Sequence, residues 1–276
     1  MPRIVGIVLV RDEDVYVEQA VRNVSRFCDE LILVDDQSRD GTPAILARLA
    51  DELPHATAYS VRRAADSHDL IKHRAGERLW VLAVDGDELY DPRGLSEMRA
   101  RLLAGEFDDW WSIKGNVLHC DAVQHDRRRA SGWLAPPARS STKLYNFAAL
   151  ESWEGTVPQR LHGGNPIFRG SQGWDKVRFL RDDYGWEESP FRCLHTCFLP
   201  RSSRQAEALV ARQTISELNS ASRAERLAAR LGALTGRPAQ SAWKLDRYRQ
   251  GSHVTVDAEG FFARWAADRS TIDSAA

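Results

Sequence analysis

Apolar residues in the first hundred positions fall into short unbroken runs separated by stretches of helical period. Residues 4–10 (IVGIVLV), 31–34 (LILV) and 79–84 (LWVLAV) are apolar throughout, the pattern of strands covered on both faces. Ala56–Val61 is a further strand candidate. Between these runs Val17, Ala20, Val21, Val24 and Phe27, and later Ile45, Leu46, Leu49 and Leu53, recur at helical spacing. Residues 65–76 and a stretch through Leu95, Met98 and Leu102 predict two more helices. Asp40-Gly41-Thr42-Pro43 reads as a turn into a helix, with Thr42 as N-cap and Pro43 at the first helical position. Strands alternating with amphipathic helices predict an α/β fold whose sheet is covered on both faces.

Past residue 105 the pattern changes. Short extended runs at Ser112–His119, Thr142–Phe147 and Phe191–Phe198 alternate with turn-rich connections, and Asp126–Pro137 (DRRRASGWLAPP) reads as an exposed loop. After Pro200 the apolar spacing becomes helical through Ala206, Leu209, Val210, Ile215 and Leu218, then Leu227 and Leu231. The expected organisation is a catalytic unit over residues 1–200, with halves 1–105 and 106–200, and a helical extension over 201–276. A segment from Trp243 to Trp265 mixes basic and aromatic residues; its Trp243–Arg249 stretch reads as an amphipathic helix, or as a flap over a bound diphosphate.

Composition narrows the partners. Thirty-eight basic against 39 acidic residues in a chain of 276 leave a formal charge of −1, which gives no basic footprint for nucleic acid. No run approaches the ~18 apolar residues of a membrane span, and Ile4–Val10 has neither the flanks nor the cleavage site of a signal peptide. A soluble, cytoplasmic protein is expected. The four cysteines (28, 120, 193 and 197) are not needed as staples in a chain this long. Cys193-Leu194-His195-Thr196-Cys197 has the look of a zinc knuckle, but it comes without a second Cys/His pair at ligand spacing and residues 193, 195 and 197 alternate as on a strand, which counts against structural zinc.

Two acidic clusters carry the chemistry. Asp85-Gly86-Asp87 follows a buried strand, and two carboxylates so placed can converge on one hard divalent cation and its bound phosphates. In open α/β sheets ligands bind beyond the carboxyl ends of the strands, which is where both clusters fall. The second cluster, Leu31–Thr42 (LILVDDQSRDGT), fails as a calcium loop because Ala47 stands where a bidentate Glu is needed and a strand precedes it. Its carboxylates suit a nucleobase or ribose. A phosphoaspartate hydrolase would need Thr or Val where Leu89 stands.

Together VDDQSRDGT and a hydrophobic strand ending in DGDE some fifty residues later resemble a family-2-type glycosyltransferase of the GT-A fold, a Rossmann-like mixed sheet with flanking helices. Val10-Arg11-Asp12-Glu13 resembles that family's opening strand. The likeness is close over residues 4–105 and looser over 140–200. It implies that Val10, Asp35 and Asp36 line the nucleotide, that Asp85 approaches the ribose or metal, and that Asp87 ligates Mn²⁺ or Mg²⁺. Lys143-Leu144-Tyr145 resembles a strand before the acceptor loop, and Leu194-His195-Thr196 one whose histidine is a further metal ligand. Two departures stand out. An Ala-Arg-Asn string is replaced by residues in AADSHDLIKHRAG, with Asp66, His68, Lys72 and Arg74 as substitutes. A His-Glu pair is replaced by Pro158-Gln159.

The resemblance implies transfer of a sugar from a nucleoside-diphosphate-sugar donor to a small-molecule or cell-envelope acceptor hydroxyl. An inverting transfer needs a general base. Glu154 is the first candidate and Asp183 the second, with Asp182, Glu187 and Glu188 nearby. A retaining front-face reaction would need neither. The competing readings are a sugar-phosphate nucleotidyltransferase, which expects a Gly-rich basic loop where Arg11-Asp12-Glu13-Asp14 stands, and a non-catalytic nucleotide-sugar binder. Trp111, Trp133, Trp153, Trp174 and Trp186 are candidates for sugar stacking, Trp133 foremost.

Overall fold

The computed structural model describes residues 2–136, 143–154, 164–204 and 247–262. Its first half is a doubly covered sheet. Strands β1 (Arg3–Val10), β2 (Glu30–Asp35), β3 (Ala56–Ser60) and β4 (Leu79–Val84) run parallel. Helices α1 (Val17–Ser25) and α2 (Thr42–Glu52) are their crossovers. Alternation along the apolar runs explains their composition. Ile4, Val8 and Val10 of β1 and Trp80, Leu82 and Val84 of β4 pack on the face of α1 and α2. Val5, Ile7, Leu9, Val81 and Ala83 pack on the other face.

The seven-stranded sheet is completed by β6 (Ser112–Lys114), β9 (Lys143–Asn146) and β12 (Val177–Phe179), in the order β12-β6-β9-β4-β1-β2-β3. Because β9 is antiparallel to both β4 and β6, the sheet is mixed. A second sheet, in the order β14-β8-β7-β13-β5, uses β5 (Glu88–Tyr90), β7 (Asn116–Val123), β8 (Arg129–Ala135), β13 (Arg192–His195) and β14 (His253–Asp257). Helix α3 (Pro92–Leu103) follows β5, and β10 (Leu150–Glu154) pairs with β11 (Asn165–Phe168) as a separate hairpin.

Several expectations are corrected. The single strand over residues 112–119 is two, broken at Gly115, where a Cβ would lie 2.0 Å from the Phe191 carbonyl oxygen. The chain there crosses from one sheet to the other. The loop expected over 126–137 is replaced, over its described residues 126–136, by a turn at Arg127 (φ 59°) and strand β8, which pairs with β7. Its charged start, its glycine and the two prolines that follow it hide the strand. Residues 64–74 form two short 3-10 turns in place of a helix, with the Ser67 hydroxyl donating to the Ala64 carbonyl at 2.6 Å. Thr42 is the first residue of α2 and Gly41 its cap, so the Thr42 hydroxyl is left to accept from the Glu13 N–H at 2.9 Å.

The helical extension expected after residue 200 lies, over 205–246, outside the described residues. Residues 253–257 are a strand, antiparallel to β8, where the helical extension over 201–276 was expected; of the Trp243–Arg249 stretch, residues 243–246 lie outside the described residues. The Asn23 side-chain amide donates to the Tyr90 and Phe261 carbonyls at 2.8 and 2.9 Å, tying this last described segment to α1 and β5. Among the described residues no helix is long and apolar enough to cross a membrane.

Candidate active site

The parallel strands place Val10, Asp35 and Asp85 at one edge of the first sheet. Val10 is the register partner of Asp35, and the Asp36 N–H donates to the Val10 carbonyl at 2.9 Å. Asp35 accepts from the Ser38 N–H at 3.2 Å, a local turn that folds the loop back over the strand end. Asp36 is almost fully buried, 3.5 Å from Arg11 Nη1, and its Oδ1 has no hydrogen-bond partner. Burial, only partly offset by Arg11, pushes its carboxyl up to about 6.

The turn Asp85–Asp87 is the joint between the two sheets, since β4 belongs to the first and β5 to the second. Each carboxylate meets a cation from a distant part of the chain. Lys143 Nζ donates to Asp85 Oδ2 at 3.1 Å and to Glu88 Oε1 at 3.4 Å. Glu88 is fully buried, and burial raises its carboxyl against the pull of Lys143. Asp87 Oδ2 receives Arg201 Nη1, and His195 Nε2 lies 3.6 Å from the same oxygen. Burial alone would raise the Asp87 carboxyl; the charges of Arg201 and His195 prevail and hold it far below the carboxylate range. Burial would likewise lower the His195 imidazole, and Cys197 and Asp87 instead push it well up.

Register explains the position of His195. It pairs with Glu88 of β5 on one side and His119 of β7 on the other. Its Nδ1 lies 2.9 Å from Nδ1 of His119, and Tyr248 stacks on His119 with ring centroids 4.4 Å apart. Three loops are laced over the same edge. The Arg39 N–H donates to Asp12 Oδ1 at 2.6 Å, the Gly41 N–H to Asp14 Oδ2 at 3.0 Å, and the Ser202 hydroxyl to Asp40 Oδ2 at 2.6 Å.

Residues 7–202 match the family model described as glycosyl transferase family 2. The chain belongs to that family. Its family-2 domain therefore begins within β1 and ends beside Arg201, and its mixed α/β architecture is of the GT-A type. A TPR repeat-containing protein of Synechococcus elongatus is 33% identical over 94 residues, which are 34% of this chain and 23% of that protein. The mannosyltransferase PcManGT from Pyrobaculum calidifontis, solved with GDP-Man and Mn²⁺, is similar at 19% identity and a TM-score of 0.37. That likeness covers 64% of this chain and 56% of the mannosyltransferase. HddC from Yersinia pseudotuberculosis is similar at 11% identity and a TM-score of 0.38, over 64% and 90% of the two chains. The chain thus spans about a quarter of the curated relative and just over half of the mannosyltransferase.

The fold brings Val10, Asp35, Asp36, Asp85, Asp87 and His195 to one region of the family-2 domain. Neither base candidate hydrogen-bonds to or pairs with a member of that set. Glu154 ends β10 exposed, with its charge felt by His68 and Lys72. Asp183 follows the outermost strand, β12, and is paired with Arg178. Trp111 and Trp153 are buried in one aromatic cluster and Trp186 stacks on Phe261, while Trp174 is exposed. Trp133 is not on an open loop: its ring lies against Phe198 and His253, with the Arg249 guanidinium 5.0 Å from its centre. Pro158-Gln159 lies outside the described residues. The sequence pattern gives no role to His119 or Arg201, shows Glu88 only as the last letter of DGDE, and places Tyr248 in the Trp243–Arg249 stretch without a partner. Their roles depend on cross-strand register and on a chain return, neither of which leaves a local pattern.

Proposed function

We propose that the protein transfers a sugar from a nucleoside-diphosphate-sugar donor to an acceptor hydroxyl with the help of Mn²⁺ or Mg²⁺. The observation that carries this reading is the Asp85–Asp87 turn of a family-2 domain, with His195 aimed at the same Asp87 oxygen that Arg201 holds. A cationic group already sits on that oxygen, and two ligand atoms 3.6 Å apart suit one small ion, so the residues fit a divalent cation. Asp87 and His195 Nε2 would hold it, with Asp85 alongside. When bound, the ion neutralises charge on the departing diphosphate.

The chain's own residues do the remaining work. Asp35 and Asp36, at the end of β2, accept hydrogen bonds from the base and ribose. Lys143 orients Asp85 and holds Glu88 beneath it. Glu154 takes the acceptor's proton as its oxygen attacks the anomeric carbon opposite the leaving diphosphate, which inverts that centre. Asp183, tied to Arg178 beside the edge strand, is the second candidate.

The test is transfer from a panel of nucleoside-diphosphate sugars with Mn²⁺ or Mg²⁺, the product anomer being read by NMR. Asp87→Asn is expected to lose at least about a hundredfold in kcat/KM, the scale on which removal of one charge-stabilising group is felt. Glu154→Gln should lose kcat with KM little changed. Undiminished transfer by Asp87→Asn in EDTA would sink the reading.

A further inference from the structure

His119, His195 and Cys197 form a donor cluster of which sugar transfer uses only the far nitrogen of His195. In the parallel pairing of β7 and β13 the two histidines are register partners, so their side chains leave the sheet on one face. Their Nδ1 atoms are 2.9 Å apart, Cys197 Sγ is 3.9 Å from Nδ1 of His119, and one ring nitrogen of each histidine and the Cys197 sulfur lie within 4.8 Å of one another. Ligand atoms on a tetrahedral zinc ion, at bond lengths of about 2.0–2.3 Å, are spaced by about 3.3–3.8 Å. The cluster therefore needs only small side-chain adjustments to close on one ion. The local sequence around Cys193 and Cys197 shows a single histidine; the fold supplies the second from 76 residues earlier.

The surroundings fit a resident soft cation. His119 is wholly buried and His195 nearly so, and the Tyr248 ring stacks over His119. On its far side His195 presents Nε2 to Asp87 at 3.6 Å. A carboxylate behind a ligating imidazole fixes its tautomer and raises its basicity.

We propose that His119 Nδ1, His195 Nδ1 and Cys197 Sγ bind a thiophilic divalent cation, zinc by preference, at a site distinct from the carboxylate site of Asp87. Two imidazoles and a thiolate favour zinc over Mg²⁺ or Mn²⁺, and three ligands leave a fourth position for water. The Cys197 thiol gives up its proton to solvent when the ion binds. A neutral imidazole has one lone pair, so with Nδ1 on zinc the His195 Nε2 carries the proton and donates it toward Asp87. If the transfer reading above holds, the two cations compete for His195. The zinc site itself does not depend on that reading.

The test uses the chelator-stripped full-length chain titrated with Co²⁺, a spectroscopic substitute for zinc. One equivalent should give an intense thiolate-to-cobalt charge-transfer absorption that zinc then displaces. Cys197→Ser, a near-isosteric change at a half-buried position, should abolish the band, and Cys28→Ala, at a core thiol outside the cluster, should keep it. His119→Gln should weaken cobalt binding about tenfold or more. Asp87→Asn, which removes the transfer-site ligand and the carboxylate behind His195, should retain the band at saturating cobalt with affinity lowered about tenfold or more, while transfer is lost. No band in the wild type overturns the proposal. So does a band that persists in Cys197→Ser with unchanged circular dichroism.

Discussion

Replacing Arg201 with Met isolates the electrostatics of the Asp87 site. The Asp87 side chain is 2% exposed, and its carboxylate, held far below its ordinary range, is ionised at pH 7. Removing its guanidinium leaves a buried charge whose remaining neighbour is His195, 3.6 Å away. Breaking a buried pair from one side costs about 3–5 kcal/mol. Because the Arg201 side chain is 18% exposed, the low end, about 3 kcal/mol, is expected. The loss should be visible in urea unfolding at pH 7 with EDTA. A divalent cation that binds Asp87 in the folded chain alone returns stability by linkage, about 2.7 kcal/mol at one hundred times its dissociation constant. Mn²⁺ should therefore rescue Arg201→Met almost fully and stabilise the wild type less, since there it must displace the guanidinium. Arg201→Met as stable as wild type in EDTA, or equal stabilisation of both proteins by Mn²⁺, would refute this role of Arg201.

Asp36, with its carboxyl pushed up to about 6 from an ordinary 3.8, binds its proton more tightly folded than unfolded. Its stabilising contribution is present below about pH 4 and lost as pH rises through about 6, by at most about 3 kcal/mol. Asp36→Asn should remove that slope, and denaturation at pH 4 and pH 7 showing the same wild-type-to-variant difference at both would contradict it. Gly115→Ala forces a Cβ onto the Phe191 carbonyl and should cost about 1–3 kcal/mol in thermal or urea unfolding; a neutral substitution would show that the sheet crossing relaxes easily. Calorimetry should find Mn²⁺ bound several-fold more tightly when a nucleoside diphosphate is present, with the coupling reduced in Arg201→Met; equal coupling in both proteins would remove Arg201 from the linkage.

The parts of the fold legible in sequence are those where one local pattern has one structural solution. LILV and LWVLAV have the length and continuity of strands buried on both faces, and acidic residues directly after them fall at a strand end. Asp35, Asp36, Asp85 and Asp87 were readable for that reason. β8 was not, because Arg127, Arg128 and Arg129 lead into it and alternation is interrupted at Gly132, whose Cβ would press on the His119 carbonyl at 2.1 Å. Residues 65–76 carry helical spacing, but Ser67 competes for the backbone and Gly76 turns the chain at φ 89°. His119 gives no local sign of its role, since its meeting with His195 is fixed by strand register across 76 residues.

The cations of the site come from three separate stretches: Arg11 after β1, Lys143 at the start of β9, and Arg201 after β13. Each reaches a carboxylate that would be intolerably charged in the interior by itself. The acidic edge can therefore exist only once all three stretches have docked. The three cations are not equivalent, however. Lys143 is buried between Asp85 and Glu88 and is committed to them. Arg201, reaching Asp87 and Glu13 from a chain return with part of its side chain in solvent, can be exchanged for another cation at modest cost. A diphosphate would offer the displaced guanidinium a bidentate partner. Cation and donor would then each make room for the other, and by linkage each would tighten the other's binding. In this arrangement Arg201 holds the Asp87 carboxylate folded and ionised until the ligands arrive.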